Sequence, residues 1–192
     1  MKASNLPRCG WALASPLEMA YHDSEWGVAS HDDIHLFEML ILEGAQAGLS
    51  WRTILNKRAA YRAAYEGFDP ERVARFGKRK QAQLLANPGI VRNRLKIAAS
   101  IDTARAVLDI RAEYGSLAGF VWGFVDDRTL QNHRENWRDI PALTDASRAL
   151  SKALRQHGCR FVGPTICYAF MQAVGMVNDH EIHCFRYRQL AH

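Results

Sequence analysis

No stretch of the sequence approaches the roughly 20 apolar residues needed to cross a bilayer, and the N-terminus carries no apolar export signal. A soluble protein of a bacterial-type cytoplasm, without membrane contact, is therefore expected. Cysteine is sparse, at four residues with no CxxC pair, so a dense disulfide scaffold is disfavoured. Alternating apolar and polar residues, the mark of half-buried strands, are absent or short. Acidic residues are in the minority, with 20 Asp+Glu against 25 Lys+Arg and a formal charge of +5, which favours a polyanionic partner. Disorder is excluded by composition, because 48% of the 192 residues are hydrophobic and can build a substantial core.

What is present is helical periodicity, and the expected fold class is all-α. Ser30 with Asp33 resembles a capping box opening a helix through Leu36, Phe37, Leu40 and Ile41 to about Ala47, with Gly48 as its stop. Further helices are expected over 51–65, 70–76, 79–86, 90–112, 117–124, 144–156 and 161–174. The polar, aperiodic segment 126–141 reads as a loop or small insertion. With no repeat and no linker, residues 1–192 form a single domain, built as one body or as two helical lobes flanking a cleft.

Two pairs of soft ligands sit at opposite ends of the chain, Cys9 with His22 and His180 with Cys184. Together they make a Cys₂His₂ set suited to tetrahedral zinc, with no position left for a reactive water. His183 competes with His180, but a side chain four residues from Cys184 converges on a shared ion more readily than an adjacent one. Such a clasp closes almost the whole chain and restricts the unfolded state by about 4 to 5 kcal/mol. The same residues also read as buried thiols and hydrogen-bonded histidines. Cys159 and Cys167, in apolar surroundings, read as core thiols.

Leu84-Leu85-Ala86-Asn87-Pro88-Gly89-Ile90-Val91-Arg92 outlines two helices joined by a tight turn. Gly89 can adopt the positive φ of such a turn, and backbone N–H groups at the following helix can meet a phosphate, reinforced by Arg92, Arg94 and Lys96. Lys78, Arg79 and Lys80 add to the basic cluster. A plain αα-hairpin with a solvated basic face fits the same residues.

Glu43 shares a helical stripe with Leu36, Leu40 and Ala47, so its carboxylate falls on an apolar face. Either an internal cation or backbone donor meets it there, or it awaits a ligand. Trp11, Tyr21, Trp26 and Trp51 lie in the flanking segments, and aromatic faces with a carboxylate suit a flat, electron-poor heterocycle.

Taken in order, Arg8-Cys9-Gly10-Trp11, Tyr21-His22-Asp23-Ser24-Glu25-Trp26-Gly27, Leu42-Glu43-Gly44-Ala45-Gln46-Ala47-Gly48-Leu49-Ser50-Trp51 and Phe161-Val162-Gly163-Pro164-Thr165-Ile166-Cys167-Tyr168 closely resemble the DNA-3-methyladenine glycosylase I family, over essentially the whole chain. The resemblance implies an all-α helix-hairpin-helix glycosylase, with the hairpin at about 79–112, that excises 3-methyladenine from double-stranded alkylated DNA as a monomer. It implies one structural zinc on Cys9, His22, His180 and Cys184, a base pocket of Glu43, Tyr21 and Trp51 with Trp11 close by, and a DNA-inserting turn at Gly48 and Leu49. Glu43 is then the catalytic candidate, recognising the base first and contributing electrostatically second, with the base stacked between Tyr21 and Trp51. Asp102 and Asp109 receive no catalytic role. Two departures stand out: Glu18 where family members can carry Tyr, and Pro164 where Thr is common. A non-catalytic, zinc-stabilised lesion-binding module is the alternative, and a zinc hydrolase is disfavoured by the closed ligand set.

Overall fold

The computed structural model describes residues 6–191. Its centre is α2, Asp33–Gln46, in which every residue from Leu36 to Ala45 is buried. A helix apolar on nearly all sides must be enclosed, and α3 (Trp51–Ala64), α6 (Arg94–Tyr114), α7 (Leu117–Trp122) and α9 (Pro164–Ala173) surround it. The shorter α1 (Pro16–Ser24), α4 (Pro70–Ala74) and α5 (Lys78–Ala86) pack around this group, followed in the chain by α8 (Asp145–Gln156) and α10 (Phe185–Gln189).

The start of α2 differs from the expected capping box. Asp32 is the cap, its carboxylate accepting from the Ile34 N–H at 2.8 Å, while Asp33 caps another helix by accepting from the N–H groups of Leu117 and Ala118 at 3.1 and 2.9 Å. The carboxylate of Asp33 is thus spent on bringing α7 to α2. Buried charge performs a similar task beside α3. Arg58 grips Glu25 with both terminal nitrogens at 2.6 Å and donates through Nε to Glu38 at 2.8 Å, and Arg62 adds two further bonds to Glu38. Burial alone would raise the Glu38 pKa, but the two guanidiniums hold it below the usual carboxylate value.

The second helix of the hairpin begins later than its apolar pattern suggests. Ile90 is buried and Val91 packs against the core, but regular helix starts only at Arg94, where Asn93 accepts from the N–H groups of Leu95 and Lys96. Gly89 does not adopt the positive φ expected of it. It is required instead by close approach, since a Cβ there would lie 2.7 Å from that of Ala60.

The 126–141 segment is a structured wall. Leu130–Gln131 forms β1 and pairs in parallel with β2, Val177–Asn178, while Arg134 bridges to Glu181. A 3₁₀ turn at Trp137–Asp139 follows. This segment is knitted to the C-terminal part of the chain, and no helix among the described residues is long and apolar enough to cross a membrane.

Candidate active site and metal centre

Three local features carry aromatic residues to one place. A 3₁₀ turn, Gly10–Ala14, presents Trp11; α1, capped by Ser15, presents Tyr21; and Ser50 caps α3 so that Trp51 is its first residue. Gly48, at φ 79°, ends α2 and turns the chain so that α3 returns alongside it. Trp11, Tyr21, Glu43 and Trp51 all line a cavity of about 330 Å³, as the sequence led us to expect. Its remaining walls are Trp26, Gln46, Trp137, Ile140, Ala169 and Gln172.

Glu43 is 3% exposed, and its Oε2 has no hydrogen-bond partner. The open question about Glu43 is thereby answered: no guanidinium or ammonium is bonded to that oxygen. Burial pushes its carboxyl pKa up to about 8. The Tyr21 hydroxyl and the Trp51 indole N–H are likewise buried without partners, and the Tyr21 pKa is raised by its own burial and by the nearby Glu43. Three unsatisfied polar atoms around one cavity are costly in a protein interior, and such groups concentrate where a ligand completes them.

One expected arrangement fails. The Tyr21 and Trp51 rings touch each other, with centroids 5.4 Å apart and planes inclined at 52°. A base inserted between two rings needs parallel faces about 7 Å apart, twice the ordinary contact distance. As they stand, these two rings present no such gap.

Glu18 does not line the cavity. Its carboxylate accepts from Ser15 Oγ at 2.7 Å and Arg52 Nε at 2.8 Å, tying the start of α1 to α3. Pro164 occupies the first turn of α9, where its missing N–H costs nothing, and leaves Ala169 and Gln172 facing the cavity.

The termini meet directly behind the aromatic wall. Donor atoms of Cys9, His22 and Cys184 lie within 4.8 Å of one another, and these three buried residues could hold a metal ion. Cys184 Sγ is 3.4 Å from His22 Nε2. The Asp23 carboxylate, itself gripped by Arg8, lies 2.8 Å from His22 Nδ1 and so directs Nε2 towards the thiols. Hydrogen bonding from Cys9 holds the Cys184 thiol below its ordinary value while the Cys9 thiol is raised, so the pair favours one thiolate. His180 lies outside this three-atom group, but its ring centroid is 4.9 Å from that of His22. Its Nδ1 is satisfied by Asn178 at 2.9 Å, whereas Nε2 is buried and unpartnered. Burial depresses the His180 pKa to about 3, keeping the ring neutral and its lone pair available.

Metal centre and cavity share a wall. Trp11 packs on His22 at 5.5 Å between centroids, and Trp26 on His180 at 4.5 Å. Glu181, buried beside the clasp, accepts from the backbone N–H groups of Gly10 and Trp137, both at 2.8 Å, and so joins two cavity walls. Cys159 and Cys167 are buried core thiols, each pushed up to about 12 by burial.

The candidate DNA-contacting residues divide into two kinds. Leu49 is 42% exposed at the tip after α2, and Arg92 and Arg94 are exposed. Lys96 is not free in this way: its ammonium donates to the carbonyl oxygens of Ala45 and Ala47 at 2.8 and 2.6 Å. It fastens α6 to the end of α2. In the turn itself, the N–H groups of Gly89 and Val91 are taken by Asn87 Oδ1 and the Tyr61 hydroxyl, so fewer backbone donors face outwards than the sequence suggests.

Sequence reasoning missed Trp137, Ile140, Ala169 and Gln172 as wall residues; the Trp-rich N-terminal segment did signal Trp26.

The methyladenine glycosylase family model matches residues 11–187. The DNA-3-methyladenine glycosylase 1 of Escherichia coli K12 is 48% identical over 182 residues, covering 95% of this chain and 97% of that protein. Its counterpart from Haemophilus influenzae is 41% identical over 177 residues, covering 92% and 96%. Among solved structures, a 3-methyladenine DNA glycosylase I superposes with a TM-score of 0.91 at 51% identity, covering 93% of this chain and 98% of that one. The Staphylococcus aureus enzyme, solved to explain its recognition of 3-methyladenine, gives 0.90 at 35% identity, covering 93% and 95%. With its sequence and fold matched along nearly the entire length, the chain belongs to the methyladenine glycosylase family.

Proposed function

We propose that this protein is a monofunctional DNA glycosylase that flips 3-methyladenine out of alkylated double-stranded DNA and excises it hydrolytically, leaving an abasic site for base excision repair. The observation that carries the reading is Glu43, a buried carboxyl with an unpartnered oxygen in an aromatic cavity.

Methylation at N3 gives adenine a positive charge and weakens its bond to the sugar. A cation entering the cavity stabilises the ionised form of Glu43 and draws its pKa down from about 8. Neutral adenine brings no such charge, and ionising Glu43 in the buried site without it is unfavourable. Trp51 and the neighbouring rings cover the face of the base, since an aromatic quadrupole attracts a flat cation. As the C–N bond breaks, its electron pair neutralises the base. Water adds to the sugar carbon and releases its proton to solvent. Glu43 is thus the catalytic residue of this reading, and the reaction ends at the abasic site without a lyase step, in keeping with the lack of an amine nucleophile among the described residues that line the cavity.

The flipped nucleotide leaves a gap in the stack, and Leu49 on the turn after Gly48 is placed to fill it. Arg92 and Arg94 meet backbone phosphates beside the helix-hairpin-helix, at Gly89 and the start of α6, while Lys96 holds that element against the Leu49 turn. The whole chain acts as one domain and as a monomer.

One zinc ion fits Cys9, His22, His180 and Cys184: two thiols, and two imidazoles whose Nδ1 atoms are already engaged. The unpartnered Nε2 of His180 supports it as fourth ligand. When bound, the ion supplies a closed crosslink and no open coordination position. Its ligands buttress Trp11 and Trp26, so the clasp sets the cavity wall without entering the reaction. The test is release of methylated bases from alkylated duplex DNA, with free 3-methyladenine and an uncut strand as the expected products.

A further inference from the structure

Charge alone does not separate the purine lesions, because N3-methylation makes guanine cationic just as it does adenine. What distinguishes them is the edge far from the sugar: adenine presents an amino group there, a donor, and guanine a carbonyl oxygen, an acceptor. A discriminating pocket therefore needs a fixed acceptor. Beside the Glu43 carboxylate, itself an acceptor when ionised, the cavity holds two carboxamides, Gln46 and Gln172, and they are held differently. Among the described residues no hydrogen bond orients the Gln46 side chain, so it can turn either group to a base.

Gln172 is fixed. Its Nε2 donates to Asp179 Oδ2 at 2.8 Å. Asp179 is fully buried and saturated, since Oδ2 also accepts from the Tyr168 hydroxyl at 2.6 Å, and Oδ1 accepts from Asn132 Nδ2 at 2.8 Å and Arg134 Nε at 2.9 Å. A carboxylate only accepts, so turning the amide over would set oxygen against oxygen in the interior. The Gln172 amide thus has one permitted orientation, which leaves its Oε1 as the group without a hydrogen-bond partner among the described residues, on a side chain that lines the cavity.

We infer that Gln172 is a specificity-determining residue of this pocket, its carboxamide oxygen accepting from the exocyclic amino group of 3-methyladenine and repelling the carbonyl oxygen of 3-methylguanine, and that Asp179 is the positioning residue that fixes this polarity. The inference rests on the glycosylase reading. Its sources are far apart in the chain: Asn132 and Arg134 lie on the segment beside β1, and Tyr168 and Gln172 on α9.

Methylated duplex DNA carrying both lesions tests it in one reaction, with each released base quantified. Wild type releases 3-methyladenine in preference to 3-methylguanine. Gln172→Leu, at a half-buried position, lowers release of 3-methyladenine about 10- to 100-fold while release of 3-methylguanine is maintained. Asp179→Asn offers an N–H where Oδ2 stood, which lets the Gln172 amide turn over and moves the product ratio about tenfold or more towards guanine. A merely structural role would depress both products together in both variants and leave the ratio unchanged, and that result overturns the inference. The Gln172→Leu ratio stands alone should the buried Asp179 variant fail to fold. If wild type releases neither base, the glycosylase reading itself fails and this inference with it; if it releases 3-methyladenine and neither variant moves the ratio, only the assignment to Gln172 fails.

Discussion

At the clasp, His22 and His180 each engage Nδ1 with a neighbouring acceptor and turn Nε2 inward, in the case of His22 towards the Cys184 thiol 3.4 Å away. Across the shared wall, where Trp26 packs with its ring centroid 4.5 Å from that of His180, Glu43 Oε2, the Tyr21 hydroxyl and the Trp51 indole N–H have no hydrogen-bond partner among the described residues. Both regions are buried, yet their ionisable groups are arranged for different ends. In the clasp, hydrogen bonds orient the imidazoles and one thiolate is stabilised, an arrangement of donors that could hold a small cation. In the cavity, burial is the influence that raises the Glu43 pKa, and on the proposed function a cationic base would offset it. On the proposed function, a site that one ion would complete serves the fold, whereas a site left incomplete serves a substrate.

The largest effect separating the two regions should come from the clasp. Removing metal with a strong chelator, or substituting Cys184→Ser, should lower Tm by roughly 10 to 20 °C, the shift corresponding to the loop-closure contribution in a chain of this size. Excision should decline as a consequence, through Trp11 and Trp26. Thermal melting with metal analysis checks this, and a chelated protein that melts unchanged but has lost its chemistry would reverse the division between the regions.

Glu43→Gln should act in the opposite sense on stability. The folded carboxyl titrates near 8, above its unfolded value, so the native state binds the extra proton between those pH values and wild-type stability falls as pH rises through that window. The penalty is complete above pH 8 and absent below the unfolded pKa. At pH 8.5 the glutamine variant should therefore be more stable, by up to about 4 kcal/mol, while its kcat/KM for excision falls about 10- to 100-fold. Wild-type kcat/KM should rise with pH through about 8, and the variant's profile should be flat across that range. Denaturation and kinetics measured over the same pH series read both effects.

Smaller effects belong to the DNA-facing surface. Leu49→Ala should lower excision from duplex DNA about tenfold and leave binding of free 3-methyladenine, followed by tryptophan fluorescence, unchanged. Arg92→Ala should weaken DNA binding a few-fold, alike on damaged and undamaged duplex, and reduce the salt dependence of log Kd by about one unit. Lys96→Met should not reduce that slope, since its ammonium is already engaged by Ala45 and Ala47.

Glu43 and the clasp residues were legible in the sequence because their signals are local or chemically conspicuous. A carboxylate on an apolar helical stripe shows in the periodicity of α2, and Cys with His at both ends shows in spacing. Trp137 and Ile140 were hidden because their segment is ordered by partners far along the chain, through Leu130 paired with Val177 and Glu181 holding the Trp137 N–H. Gln172 was hidden for a similar reason, as its significance lies in Asp179 and the groups that saturate it. The start of α6 was misplaced because Ile90 and Val91 are apolar for packing, not for helix formation, and the cap that begins the helix is Asn93. Contact between Tyr21 and Trp51 is likewise a tertiary fact that no motif encodes.

The most direct test of the central claim is the identity of the base released when the native, metal-loaded protein is incubated with methylated duplex DNA. Free 3-methyladenine accumulating from strands that remain uncut until the abasic sites are cleaved chemically is the predicted result. Absence of released base, or strand nicking without base release, would contradict it.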